Sequence, residues 1–293
     1  MVSVSQPWFN LLPGNSINLS KRAACKCIDD SGIDPCDIGL LINTGIYRHK
    51  NLGEPAIASL IQKKMGTKAT RGANSGKTFS FDLNNGGCGW LTGIQIIEEF
   101  INSNQISNGM VVTGDSDPFH GLSEKYYFKS AAAAIILSRS KDSEGFALFR
   151  SYSFPDHSEE FVSRTGNNNL NRKRNGKNIL YVSQKETYLD LCAAHASESL
   201  INFLGETGLK LNNTDLIISS QSPAGLISKM KDKIGMKDNF VEIEGPGKKK
   251  LHTSGPAFAL KKTWDDKRFK RSKHTIFLTV GSGITVSVAL YIN

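Results

Sequence analysis

Long apolar runs are missing from this sequence. No window approaches 18 uninterrupted apolar residues, which excludes a helical membrane span. Missing too is a basic start followed by an apolar stretch, so MVSVSQPWFNLLPGN predicts no signal peptide. Cysteine is scarce: five in 293 residues, an odd number at no regular spacing. That usage fits a reducing, cytoplasmic setting better than a disulfide framework. Cys25 and Cys27 share one helical stretch, but no histidine or second cysteine pair completes a zinc site. No metal and no cofactor is therefore expected. Charged residues make up 22% and hydrophobic ones 39%, an ordinary globular composition that excludes a disordered tail, a collagen and a coiled-coil rod. The length allows one large domain or two mid-sized ones.

What the sequence has in excess is positive charge, a net +9. Such a balance points to an anionic partner: nucleic acid, an anionic membrane or an acidic protein. The excess is concentrated between Lys248 and Lys273, where ten cations, among them Lys248, Lys249, Lys250, Arg268 and Arg271, face only Asp265 and Asp266. A solvated face is the plain explanation of such a run. No nucleic-acid-binding motif accompanies it, and nucleic acid is not expected as a partner.

The chain also repeats itself. GIDPCDIGLLINT from Gly32 and GLKLNNTDLIISS from Gly208 are each a glycine turn, a polar stretch, an aspartate and an apolar strand. A helical pattern precedes each, Ser20–Asp30 and Leu189–Leu204, and a basic helix ending in glycine follows each, at Gly66 and Gly235. The strands GMVVTGDS and TIFLTVGSG extend the correspondence. Strand candidates such as Ile38–Ile42, Met110–Val112, Ala131–Leu137 and Leu216–Ser219 are continuously apolar, as strands covered on both faces are. The expectation is a layered α/β protein of two pseudo-equivalent halves: residues 1–150, an irregular connector over 151–177, and residues 178–293.

The sharpest chemical signal lies in FDLNNGGCGWLTGIQIIEEF. Leu83 closes a strand, Asn84–Gly87 make a tight turn, and a helix begins near Gly89. Cys88 thus stands at a helix N-terminus, where free N–H groups and the macrodipole stabilise a thiolate and lower its pKa. A reactive nucleophile is one explanation; a small residue buried in a tight turn is the other. Cys25, Cys27, Cys36 and Cys192 read as structural. His252, in GPGKKKLHTSGPAFAL, occupies the matching loop of the second half. If the two loops converge, it serves Cys88 as proton acceptor or oxyanion donor. Gly281-Ser282-Gly283 ends a late strand and offers backbone N–H groups for an oxyanion.

These residues together resemble the ketoacyl-ACP synthase III branch of the thiolase-fold condensing enzymes, from about Ser16 to the C-terminus. GIDPCDIGLLINTG resembles the first inner strand of that family. FDLNNGGCGWLTGI resembles its nucleophile motif, usually an aspartate, two or three small residues and Ala-Cys-x-Gly-Phe. MVVTGDSD, LHTSGPAFAL and VGSGITVSVALYIN resemble later motifs in their order. The resemblance implies a thiolase-like fold and acyl transfer through a cysteinyl thioester. It implies acyl carrier protein or coenzyme A thioesters as donors, docking for the former on the basic run, and a homodimer or a heterodimer with a related synthase. The acceptor is a malonyl-type thioester or another group, in fatty acid-like or specialised-metabolite biosynthesis. The departures are specific. The histidine of a His-Gln-Ala-Asn motif is replaced by Ser220, and the family's asparagine aligns with His252. The Cys-His-Asn triad thus becomes Cys88, Ser220 and His252, with the N–H groups of Cys88 and Ser282 as the implied oxyanion hole. The opening strand and the region gripping the coenzyme A adenine have no evident counterpart before Ser16. A degenerate, non-catalytic subunit of a heteromeric condensing enzyme is the alternative.

Overall fold

In the computed structural model, which describes residues 2–10, 14–66, 78–118, 128–140, 142–167, 178–236, 238–243 and 251–293, the apolar runs form the central strands of two five-stranded sheets. The first sheet contains β1 (Val2–Asn10), β2 (Ile38–Asn43), β3 (Phe79–Asp82), β4 (Asn108–Asp115) and β5 (Ala131–Arg139), in the spatial order β1-β5-β4-β2-β3. The chain then enters the second sheet with β6 (Gly145–Ser153) and leaves it for a separate hairpin, β7 (Phe161–Asn167) and β8 (Asn178–Gln184). It returns through β9 (Leu216–Ser219), β10 (Phe240–Val241), β11 (His274–Gly281) and β12 (Thr285–Ile292). The second order is β6-β12-β11-β9-β10, the same as the first. In both sheets the two outer pairings at one end are antiparallel and the two at the other are parallel. The repeat read from the sequence is therefore a duplication of topology, strand for strand.

Helices repeat as well. The first half carries α1 (Ser16–Ser31), α2 (Ile57–Met65) and α3 (Gly89–Asn102); the second carries α4 (Tyr188–Thr207), α5 (Leu226–Ile234), α6 (Gly255–Asp265) and the short α7 (Arg268–Arg271). The expected glycine stops at Gly66 and Gly235 adopt the left-handed conformation in which glycine alone carries no Cβ penalty. α1 and α2 cover the outer face of the first sheet, α4 and α5 that of the second. α3 and α6 are buried between the sheets, where Trp90, Ile94, Phe258 and Leu260 join side chains of both sheets in one apolar cluster. The result is a five-layer α/β/α/β/α stack, the thiolase-like architecture.

Two expectations are corrected here. An opening strand does precede Ser16: β1 pairs antiparallel with β5 along its length. The stretch 151–177 is not an irregular connector throughout. Ser151–Ser153 complete β6, which pairs with β12 in the second sheet, and 161–167 form β7. No helix among the described residues is long and apolar enough to cross a membrane.

Candidate active site

Both buried helices begin at the seam between the halves, each with a tight turn. The turn before α3 is a single 3-10 turn, Gly86–Cys88, laid directly on the end of β11. Only glycine permits that approach: a Cβ on Gly87 would sit 2.2 Å from the Val280 carbonyl oxygen. Cys88 then caps α3 with its side chain wholly buried. Its Sγ donates to the backbone carbonyls of Thr279, at 3.4 Å, and Thr285, at 3.2 Å, on the two strands of the C-terminal hairpin.

The expected nucleophile is thus a buried thiol. Burial pushes the Cys88 thiol above its ordinary pKa, and hydrogen bonds from Thr279, Ser287 and Gly281 offset only part of the rise. Desolvation is the largest cause of that rise. Nor is the Cys88 N–H left for an oxyanion, since it donates to the Asn85 carbonyl at 3.0 Å.

The other named residues do converge. A small pocket at the seam is lined by Gly87, Ser220, His252, Ser282, Phe128 and Tyr188, among others. Cys88 is not part of its wall. His252 stands in the loop before α6, its ring packed against Phe128 and Tyr47 at centroid distances of 4.4 and 5.0 Å. Its Nδ1 lies 3.5 Å from a carboxylate oxygen of Asp115, at the end of β4. The contact turns Nδ1 toward that carboxylate. The His252 side chain lines the pocket.

Asp115 is fixed more firmly than the histidine it supports. One carboxylate oxygen accepts the N–H groups of Ile46 and Tyr47, both at 2.9 Å; the other accepts the N–H and hydroxyl of Thr253. Burial alone raises a carboxyl's pKa, yet the bonds from His252, Thr253 and Tyr47 hold Asp115 below its ordinary value. It is a buried carboxylate kept charged by its donors. The sequence reading passed over Asp115; its one signal was an acidic residue directly after the apolar strand of GMVVTGDS.

Ser220 directly follows β9; its N–H donates to the Leu278 carbonyl and its Oγ accepts the Val280 N–H at 2.9 Å. The hydroxyl proton is left to donate into the pocket. Ser282 lies in the turn between β11 and β12. Of the basic run, Lys248, Lys249 and Lys250 lie outside the described residues. Arg268 bonds Asp266 at 2.9 Å, and Arg271 bonds the backbone carbonyls of Asp266, at 2.8 Å, and Lys267. Both guanidiniums thus fold back on the C-terminal end of α6, a helix-capping use of cations.

No protein-family profile matches the chain. Among curated proteins it is 22% identical over 272 residues to the β-ketoacyl-[acyl-carrier-protein] synthase III of Vesicomyosocius okutanii, covering 92% of this chain and 81% of that one. The synthase III of Clostridium acetobutylicum is 22% identical over 283 residues, with 92% and 82% covered. A shorter stretch of 95 residues, 32% of this chain, is 36% identical to a quarter (25%) of the acyl-CoA:acyl-CoA alkyltransferase of Shewanella oneidensis. The chain is ketoacyl-ACP synthase III-like. Solved structures agree on the fold. The 3-oxoacyl-[acyl-carrier-protein] synthase III of Aquifex aeolicus superposes with a TM-score of 0.79 at 16% identity, with 100% of both chains covered. Xanthomonas campestris OleA, crystallised with lauric acid and lauroyl-CoA, gives 0.81 at 16% identity, covering 100% of this chain and 99% of that one. This synthase III-like chain is thus an acyltransferase-type enzyme with a thiolase fold.

Proposed function

We propose that this synthase III-like chain transfers an acyl group out of a thioester, with His252, seated on Asp115, as the proton acceptor. One observation supports the reading above the rest: a buried carboxylate held by four donors lies 3.5 Å from Nδ1 of His252, whose side chain lines the same pocket as Ser220 and Ser282. A histidine so held is a general base oriented by its carboxylate. Ser220 Oγ–H and the turn at Ser282 are the donors for the carbonyl oxygen as it gains charge.

Passing the acyl group through Cys88, as the family resemblance implies, asks more of the chain. The thiol must leave the Thr279 and Thr285 carbonyls and lose a proton that burial holds in place. If Gly89-Trp90 is set on the family's Gly-Phe pair, Gly87 stands where that family has its cysteine, and Gly87 is the residue that faces the pocket. Cys88 is therefore a buried structural residue in this reading. The donor is a thioester of acyl carrier protein or coenzyme A, in fatty acid-like or specialised-metabolite biosynthesis. Carrier docking falls chiefly to Lys248, Lys249 and Lys250, because Arg268 and Arg271 are engaged at α6. The test is thiol release from acetyl-CoA and from acetylated carrier protein. His252→Ala is expected to abolish it, and equal rates in that variant would overturn the assignment.

A second reading has its own support. Ser220 and Gly87 stand at two positions where the family places catalytic side chains. β3 leaves one edge unpaired among the described residues and presents Phe79 at 57% exposure, tilted against Phe81. A chain of that kind pairs through β3 with a related synthase and completes its partner's site. Full activity only after mixing with such a partner would favour it.

A further inference from the structure

Three donor groups converge on one oxygen of Asp115. Oδ2 accepts the Thr253 N–H at 3.1 Å and the Thr253 hydroxyl, and His252 Nδ1 stands 3.5 Å from that same oxygen. Oδ1 is taken separately by the N–H groups of Ile46 and Tyr47. A carboxylate oxygen has about two lone-pair sites, and Thr253 fills both on Oδ2. The His252 contact is left long, past the roughly 2.7–3.2 Å of a good hydrogen bond. The Thr253 hydroxyl is itself held, because Thr113 Oγ1 and Thr253 Oγ1 are hydrogen-bonded. An ionised carboxylate only accepts, so the hydroxyl proton of Thr253 lies on Asp115 and Thr113 donates to Thr253. Thr113, Asp115 and Thr253 are all buried. Thr113 and Asp115 belong to β4, and His252 and Thr253 to the loop before α6, so this chain of bonds crosses the seam.

We infer that Thr253 is a positioning residue: its hydroxyl competes with His252 Nδ1 for Asp115 and so sets how firmly the carboxylate holds the imidazole. The inference rests on the reading of His252 as proton acceptor and names what tunes it. Once His252 takes up a proton, both ring nitrogens are donors, and the imidazolium gains more from Oδ2 than the neutral ring does. While the hydroxyl occupies that oxygen, the neutral ring, the form that accepts a proton, persists to lower pH than it would without it. No bond forms or breaks at Thr253. Among the described residues, the other titratable side chains against the ring or in its pocket are Tyr47 and Tyr188; burial pushes both phenols up, so both stay neutral.

The experiment is an NMR titration of the histidine rings in the full chain, with the His252 signal assigned by its loss in His252→Ala. It runs beside the pH profile of thiol release from acetyl-CoA. Thr253→Val removes the hydroxyl at nearly constant shape, Thr253→Ala is a second variant against misfolding, and Thr253→Ser restores the hydroxyl. In the valine and alanine variants the His252 midpoint is expected to move up by about one pH unit. The acid limb of thiol release should follow it, a loss of about tenfold there that narrows at alkaline pH, with KM within about twofold. The serine variant should return both to wild type. A midpoint that stays put or moves down in the folded variants, or a loss of rate equal at every pH, would overturn the inference. A midpoint that moves as expected while His252→Ala releases thiol at the wild-type rate supports the competition at Asp115 and refutes His252 as the proton acceptor.

Discussion

Cys88 and Asp115 have exchanged the roles that residue chemistry suggests for them. A cysteine at a helix N-terminus is ordinarily the reactive group, and an aspartate in a buried strand end the inert one. Here burial keeps the thiol protonated, while four donors from Ile46, Tyr47 and Thr253 keep the carboxylate charged. Alkylation should reflect this. Under limiting iodoacetamide, Cys25 and Cys36, both partly exposed, are expected to label before Cys88, as peptide mapping will show. Faster labelling of Cys88 would mean the thiol visits the pocket. Ser220→Ala removes a single donor, and a fall in kcat of about a hundredfold is expected with KM little changed.

Two carboxyls also predict opposite pH effects on stability. Asp115 has a folded pKa below its ordinary 3.8, so the stability it contributes is present above that value and is lost as pH falls through the lower folded one. Asp115→Asn should lower Tm at pH 7, with a gap from wild type that narrows in acid. Glu98, buried on α3 beside Glu99, is raised by desolvation from 4.5 to about 7. The unfolded chain releases this proton first, so folding loses stability between those values and does not recover it above them. Glu98→Gln is expected to raise Tm at pH 8 and to leave it nearly unchanged at pH 4. A uniform effect at both pH values would rule out that ionisation.

At the scale of elements, the turn before α3 and the edge strand β3 matter most. Gly87 lets the turn lie against β11, and Gly87→Ala places a carbon 2.2 Å from the Val280 oxygen, which forces the hairpin to move. Loss of the folded state or of activity follows, read by melting and turnover together. For β3, Phe79→Lys puts a charge on the exposed edge, a common device against strand pairing. If the chain assembles through this edge, light scattering should show the variant a single subunit at its wild-type Tm. An unchanged mass would place assembly elsewhere.

Much of this element structure is legible in the sequence. The helix of α3 is marked by the spacing of Leu91, Ile94, Ile97 and Ile101, and the ends of α2 and α5 by Gly66 and Gly235. β1 and β6 are harder to see. β6 alternates between covered and exposed residues, so its polar positions read as loop; its pairing is fixed by β12, more than 130 residues later in the chain. The site is legible by residue type but not by direction. Helix periodicity puts Cys88 at a helix start, yet it does not say whether Sγ faces the pocket or the β11–β12 hairpin. One residue of offset, Gly87 against Cys88, decides that; the Gly89-Trp90 pair marks the offset in the sequence, and the packing of the two halves shows which residue lines the pocket.

Across the whole molecule, duplication explains where the chemistry lies. Two copies of one topology bring the starts of α3 and α6 to a single seam, so that Gly87 of one half meets His252 of the other. The seam is held by a continuous core, including Trp90 against Phe277 at 5.7 Å between ring centroids. In the proposed reaction the halves contribute differently: the first supplies the carboxylate and the glycine turn, the second the histidine, Ser220 and Ser282. The sharpest check of whether His252 rather than Cys88 does the chemistry is the intact mass of the chain during turnover of acetyl-CoA, taken alongside free thiol. The expected result is thiol released over many turnovers while the chain keeps its unmodified mass. A chain that gains one acetyl group, mapped to Cys88 and competent to pass it on, would contradict it.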